Sequence, residues 1–391
     1  MDAGRDRWMN VGRSAERDAA RAGADAAAAA LGGRDAALMV VFCSHEYDHP
    51  ALLAAVNEQS GGAPLIGCST AGEIATDGPG DSSAVVVAFG GEGFCASTSV
   101  SRRASSDLRA AGAAVAGSLE SLNGGHGERV LVLLTDGLAG DQQEVVRGAY
   151  GVAGAAVPLV GGCAGDGLEM KSTVQFHGSE VLTDAVVGAA LGSDGPLGIG
   201  VRHGWRKVGE PMLVTKASYN RVYSLAGQPA LDVYLDRLGA PAEARNDAAA
   251  FTRFALTHPL GLDRRSGEEH VRFIGEADFD ERSIVSIAEV PQGGLAWFME
   301  GDSDSVLRAT DAACADAVEA LGGAKPLGVL AFDCIARRGV LGEDGIKTEV
   351  DRVSERAGNV PVAGFYTYGE IARTRGISGF HNQTLVVMAV G

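Results

Sequence analysis

The 391-residue chain carries a formal net charge of −17 and a sequence pI near 4.9, which argues against nucleic acid and against an anionic membrane surface as partners. No run of about 18 apolar residues occurs and no leucine-rich signal opens the chain, so the reading is a cytoplasmic protein without a spanning helix. The six cysteines stand singly at Cys43, Cys68, Cys95, Cys163, Cys314 and Cys334; with no CxxC or CxxCH, the usual zinc, thioredoxin and covalent-haem signatures are missing.

Residues 1–34 read as an N-terminal extension with an Ala-rich helix that stops at Gly32-Gly33. The apolar run 37–42 is a strand, and His49-Pro50 opens a helix with Pro in the first turn, where a missing N–H costs least. Residues 64–67 form a second strand. Gly90-Gly91-Glu92-Gly93 reads as a hairpin turn, and Asp107 caps an Ala-rich helix that stops before Asn123-Gly124-Gly125. The first strand returns at 129–134 and at 327–332. A third copy is poor, with Phe254-Ala255-Leu256 and Val271-Arg272-Phe273-Ile274-Gly275 as its best candidates.

Repetition organises these elements. The segments 83–89, 184–190, 283–289 and 384–390 are alike, which implies four units of roughly 100 residues. The expected fold is α/β (mixed α+β): duplicated units with mixed sheets flanked by helices, in two tandem domains at 35–220 and 221–391.

A strand-end motif appears three times: Gly67-Cys68-Ser69-Thr70-Ala71-Gly72-Glu73, Gly161-Gly162-Cys163-Ala164-Gly165-Asp166, and Gly364-Phe365-Tyr366-Thr367-Tyr368-Gly369-Glu370. If these ends converge on a cleft, Cys68, Ser69, Thr70, Glu73, Cys163, Asp166, Tyr366, Tyr368 and Glu370 offer the donors and acceptors that suit a small polar ligand such as an amino acid. The alternative is a set of tight turns needed by the fold alone. Arg202 and His203, beside Trp205 and Arg206, would clamp a carboxylate or a haem propionate; otherwise they mark an interdomain connection anchored by a buried Trp. Arg337 and Arg338, following Asp333-Cys334, suggest an anion contact, and His381-Asn382 either binds ligand or holds a turn. Haem would take an axial ligand from His45, His49, His177, His203, His258 or His381. Thr135-Asp136-Gly137, with Asp141 beyond, is a phosphate or metal site or an ordinary turn.

No GxSxG, HExxH or P-loop is present, so a non-enzyme is expected. The enzymatic alternative is a hydrolase or transferase using Cys68 or Cys163, and a scaffold without ligand is a third possibility.

With Phe42-Cys43-Ser44, Tyr47-Asp48, His203-Gly204-Trp205-Arg206, Thr257-His258-Pro259-Leu260-Gly261 and His381-Asn382-Gln383-Thr384, these motifs resemble the FIST family through both its N-terminal and C-terminal domains. The resemblance spans roughly residues 35 to 391 and implies a bacterial signal-transduction sensor of a small ligand. Its implied partners are a histidine kinase or a cyclic-dinucleotide enzyme, reached in trans. One branch is similar to nitric-oxide sensors that bind haem b, although His45 stands here where that branch would have Pro.

Overall fold

The computed structural model describes residues 6–122, 126–263, 270–374 and 379–391, arranged as an α/β protein with mixed sheets flanked by helices. The helix stop read at Asn123-Gly124-Gly125 lies outside the described residues. One structural unit occurs three times. Unit one runs through strand Trp8–Ser14, helix Ala19–Leu31, strand Ala36–Ser44, helix His49–Ser60, strand Leu65–Thr70, the hairpin Glu73–Ala75 and Gly78–Gly80, and strand Ala84–Gly90. Unit two follows the same order through Phe94–Arg102, Leu108–Ala116, Glu128–Thr135, Gln142–Ala153, Leu159–Cys163, the hairpin Gln175–His177 and Glu180–Leu182, and Ala185–Ser193. Unit three begins with Leu197–Arg202 and resumes with Ser303–Glu319, Gly328–Cys334, Ile335–Arg356, Val362–Thr367, the hairpin strands Glu370–Arg373 and Phe380–His381, and Leu385–Val390.

Local chemistry sets these boundaries. Asp18, Asp48, Asp107, Asp141, Asp247 and Asp302 each accept a first-turn N–H of the helix they precede, so part of the acidic excess serves as helix caps. The first two helices end on Gly32 and Gly61 in the left-handed conformation, which a residue without Cβ adopts freely.

Within each unit the last strand lies between the first and second, and the second and third run parallel. The hairpin then leaves its own sheet. That of unit one pairs with Val362–Thr367 of unit three, that of unit three with Leu159–Cys163 of unit two, and that of unit two with Leu65–Thr70 of unit one. The exchange closes a ring. It also explains the Gly repeated in each motif strand. Gly67, Gly161 and Gly364 lie opposite Phe176, Ile371 and Ile74 of the incoming hairpins. A Cβ at these three positions would meet the carbonyl oxygens of Val41, Leu133 and Ala331 at 2.4, 1.9 and 1.8 Å.

The inner faces of the three sheets share one core. Phe42, Phe332 and Phe365 meet there, with ring centroids 4.8 to 6.3 Å apart. Each fully buried Phe contributes roughly 1.5–3 kcal/mol. The outer faces pack under helices in three separate cores.

Residues 206–300 interrupt unit three between its first strand and first helix, and form their own sheet and core around Tyr234, Phe251 and Phe298. This inserted domain corrects the expectation of four copies. Phe254 and Ala255 lie in helix Ala248–Ala255, and Ser283–Ser286 belongs to the inserted sheet. Gly90-Gly91-Glu92-Gly93 is a link between two sheets rather than a hairpin turn. Residues 8–31, expected as an extension, are the first strand and helix of unit one. Residue 220 falls at the turn joining strands Arg206–Ser218 and Arg221–Leu225 of the insert.

Trp205 anchors the root of the insert. It is buried, its indole N–H donates to the Gln383 carbonyl at 2.9 Å, and a Cβ on Gly301 would sit 2.3 Å from its ring. Arg206 and Glu300 are paired neighbours where the chain leaves and returns. Replacing residues 207–299 with a Gly-Gly linker should therefore leave one cooperative melt by circular dichroism, because the three exchanged sheets keep every strand. Ending the chain after residue 228 should abolish it. The hairpin Glu73–Ala75 and Gly78–Gly80 then has no Val362–Thr367 to pair with, and unit two loses strand Glu370–Arg373. Loss of the cooperative melt in the linker variant would show that the ring does not stand alone.

Candidate functional site

The three strand-end motifs do meet. Ala71 N–H donates to the Tyr366 carbonyl and Tyr366 N–H to Gly72; Cys163 N–H donates to Gly369 and Tyr368 N–H to Cys163; Gly165 N–H donates to Ser69. These bonds, 2.8 to 3.2 Å long, tie the crossing segments into a closed triangle. Most of the predicted donors are consumed inside it.

The two carboxylates of the Thr-x-Gly-Glu copies play matching structural parts. Thr70 donates to Glu73 at 2.5 Å and Thr367 to Glu370 at 2.5 Å. Glu73 also accepts from the Ser83 N–H and hydroxyl at 3.0 and 2.8 Å, and Glu370 from the Thr384 N–H at 3.1 Å. Each thereby pins the start of the strand that follows its hairpin. Burial pushes Glu73 up to about 7 and Glu370 up to about 8, against these hydrogen bonds, which pull the other way.

Asp166 differs. It accepts from the N–H groups of Met170, Lys171 and Ser172 at 2.7 to 2.9 Å and from the Tyr368 hydroxyl. Tyr368 in turn accepts the Leu168 N–H at 2.8 Å. The pair thus shapes the loop after unit two's motif, in which Leu168 and Met170 hold positive φ angles of 71° and 54°.

Several expectations are corrected. Cys68 and Cys163 are fully buried and burial raises both thiols, so neither presents a nucleophile. The Ser69 hydroxyl donates to the Gly165 carbonyl at 2.8 Å and accepts from Val174 N–H at 2.9 Å, inside the fold. Arg202 pairs with Asp316 on the surface at 2.7 Å. His203 accepts the Trp205 N–H at 2.9 Å, the interdomain-connection alternative. His381 bonds the Ala372 carbonyl at 3.1 Å, and the Asn382 amide donates to the His381 carbonyl at 2.8 Å. Asp136 accepts from Leu138 N–H, the Thr173 hydroxyl and Asp184 N–H, the ordinary-turn reading of that segment.

Arg337, expected at a ligand, is 0% exposed. It pairs with Asp333 at 2.6 Å and Glu349 at 2.5 Å, and donates to the Thr310 hydroxyl at 2.9 Å and the His203 carbonyl at 3.0 Å. Breaking such a buried pair costs about 3–5 kcal/mol, so this guanidinium belongs to the fold.

Its neighbour faces a cavity. Beside the triangle lies a cavity of about 380 Å³ to which all three units contribute: His45, Glu46, Thr70, Ala71, Gly72, Asp81 and Ser82 from unit one, Gly167 and Leu168 from unit two, and Ile335, Arg338 and Glu343 from unit three. Arg338 forms its wall. The guanidinium grips both Asp81 oxygens and reaches Glu343 at 3.1 Å, with its carbon 5.1 Å from the Tyr366 ring centre. The hydrogen bonds from Arg338 hold the Asp81 carboxyl below its ordinary value. Glu46, Asp81 and Glu343 outnumber the one guanidinium. Of the predicted residues, Thr70 lines this cavity, Tyr366 lies behind Arg338, and Asp166 and Tyr368 shape the loop that bears Leu168. Asp81, Glu46 and Glu343 carried no sequence signal. Arg338 was read together with Arg337 as an anion contact, and of the two it is Arg338 that faces the cavity.

Haem does not fit here. Porphyrin faces require apolar walls, whereas Glu46, Asp81, Arg338 and Glu343 put four charged side chains among these. His45 lines the cavity, but its ring lies 3.7 Å from Glu169. His49 bonds the Ser44 carbonyl, and burial lowers it. His177 sits in a paired strand, and His258 stacks on Phe254 at 4.1 Å. Among the described residues no group of three or more metal-type side chains is assembled, and no helix is long and apolar enough to cross a membrane.

Residues 37–228 match the FIST N domain and residues 230–373 the FIST C domain. The chain is similar to the uncharacterized protein Rv0628c of Mycobacterium tuberculosis, at 27% identity over 96% of this chain and 97% of the relative. The uncharacterized protein Mb0898c of Mycobacterium bovis is 29% identical over 58% of each chain. The uncharacterized protein MJ1623 of Methanocaldococcus jannaschii is 26% identical over 39% of this chain and 31% of its own.

The raised carboxyls set a pH dependence. In the fold, Glu73 and Glu370 keep protons that the unfolded chain releases near its ordinary value of 4.5. The folded state therefore binds more protons between about pH 4.5 and about pH 8, and stability falls as pH rises through that window. The double variant Glu73→Gln, Glu370→Gln should flatten that slope in urea titrations at about pH 5 and about pH 8. An unchanged slope would mean that neither group carries it.

Proposed function

Because the chain belongs to the FIST family, whose domains are sensory modules of signal transduction, we propose that it senses a small zwitterion, an amino acid by size and charge, in the Arg338 cavity. One observation carries this reading: a single guanidinium fork set among three carboxylates, in a cavity walled by all three units. The fork matches a carboxylate bidentately. Asp81, Glu46 and Glu343 match an ammonium group. A bound carboxylate would displace Asp81 from Arg338 while the ammonium takes up the freed Asp81, so the empty and filled states differ in defined contacts. Such differential contact is what a sensor needs, since a ligand shifts an equilibrium only by its unequal affinity for the two states.

In this reading the protein is cytoplasmic and acts through a separate signalling enzyme, a histidine kinase or a cyclic-dinucleotide enzyme, as the family class suggests. Transduction then requires that the Arg338 wall communicate with a surface elsewhere.

Thermal-shift screening against the individual proteinogenic amino acids tests the proposal. At least one should raise the melting temperature, and Arg338→Gln should weaken its binding by about tenfold or more, roughly 1.4 kcal/mol. Added haem should give no sharp Soret band. A flat response across the panel, or equal binding by Arg338→Gln, would overturn the assignment.

A further inference from the structure

Arg338 and Arg337 are consecutive in the first helical turns of Ile335–Arg356, yet they face different neighbourhoods. Arg338 walls the cavity, while Arg337 holds the His203 carbonyl, where the chain departs into the inserted domain. The helical segment that carries both is short. It is cut at Gly342, whose φ of 66° and ψ of 178° break the helix, so residues 335–341 are joined to the rest of that helix through a non-helical hinge.

The Tyr366 ring lies 5.1 Å from the Arg338 guanidinium carbon, on the side away from solvent. The cluster around Arg337 is buried and closely coupled: burial, with Glu349 beside it, pushes the Asp333 carboxyl well up, and the Tyr366 hydroxyl is buried with no hydrogen-bond partner among the described residues. At the root of the insert contacts are tight too. A Cβ on Gly204 would lie 2.9 Å from Ser305 O and from Val306 Cα, and Trp205 fills the space above Gly301. A shift of the Arg337 guanidinium therefore moves the root rather than being absorbed by slack.

We propose that segment 335–341, through the consecutive Arg338 and Arg337, couples occupancy of the cavity to the root of the inserted domain at residues 203–206. The inserted domain is then the output element of the sensor. It emerges on the motif face of the sheets, because Leu197–Arg202 runs in the same direction as Gly328–Cys334, each being antiparallel to Leu385–Val390. This inference rests on the reading of the Arg338 wall as the ligand contact, and adds the route by which that contact is transmitted.

The test needs no ligand, so it fails or succeeds independently of the amino-acid screen. Asp81→Asn weakens the ion pair that Arg338 releases on binding, and it alters a carboxylate exposed to solvent in unit one, outside the buried cluster. Hydrogen–deuterium exchange of the full chain is followed in peptides covering 203–206 and 335–341, the Trp205 amide being the reporter bonded to His203. Asp81→Asn should change protection at both segments, by up to about fivefold at 203–206, the most that removing a solvent-exposed ion pair can transmit. In an Arg337→Lys background the same substitution should still act on 335–341 but no longer on 203–206. Should Arg337→Lys not fold, Arg338→Gln serves as the second block, and in that background Asp81→Asn should no longer change protection at 203–206. An Asp81→Asn effect confined to 335–341 in the otherwise native chain, or one at 203–206 that persists in the blocked background, would overturn the coupling.

Discussion

The exchange of hairpins around three units is the constraint from which the rest of the structure follows. Each motif strand must end beside an incoming hairpin from another unit, and its Gly is there because a Cβ would strike the parallel strand next door. The three ends then lie close enough to bond one another through their backbones, forming the triangle of residues 69–72, 163–166 and 366–369. A closed triangle has no room for a ligand at its centre. A cavity of about 380 Å³ lies instead on its flank, where side chains of all three units come together.

That geometry separates residues that anchor from residues that can respond. Glu73 and Glu370 fasten strand ends to the strands that follow, and both are buried with every nearby donor in use. Arg337 anchors helix, strand and insert root together. Arg338 and Asp81 form instead a partly exposed pair, with side-chain exposures of 12% and 63%. An ion pair this open to water is worth on the order of 0–1 kcal/mol. A ligand can exchange with it at little cost, whereas displacing a partner of Arg337 would cost several times more.

Repetition in the sequence was enough to read the α/β class, the mixed sheets and the strand-end motif, because short apolar runs and Gly-bearing strand ends are local signals. The number of units was misread for a physical reason. The inserted domain is nearly as long as a unit, so its strand Ser283–Ser286 fell where a fourth copy was expected. Unit three's first strand, Leu197–Arg202, was correspondingly separated from its own helix. The roles of the motif carboxylates were out of reach, since their donors Ser83 and Thr384 come from strands beyond a hairpin that pairs with another unit. Telling Arg338 from Arg337 is the same difficulty in miniature: consecutive helical residues differ by about 100° in direction, and the phase of the helix is set by packing that a single sequence does not display.

In two tandem family domains joined at about residue 229, a ligand site would ordinarily be sought within one or between the two. Here that junction falls inside the inserted domain, between Gln228–Pro229 and helix Ala230–Arg237. The ring of units is completed only by residues from both sides of it. Hairpin Glu73–Ala75, from the first family domain, finishes the sheet that the second begins with Gly328–Cys334. Strand Glu370–Arg373, from the second, finishes the sheet of the first. The two domains therefore cannot act as a receiver and a separate transmitter that merely touch. Any change at the cavity acts on sheets that both domains build, and the inserted sheet, with its own core, meets them at the paired Arg206 and Glu300 and through contacts such as Gln383 to the Leu256 carbonyl at 2.7 Å.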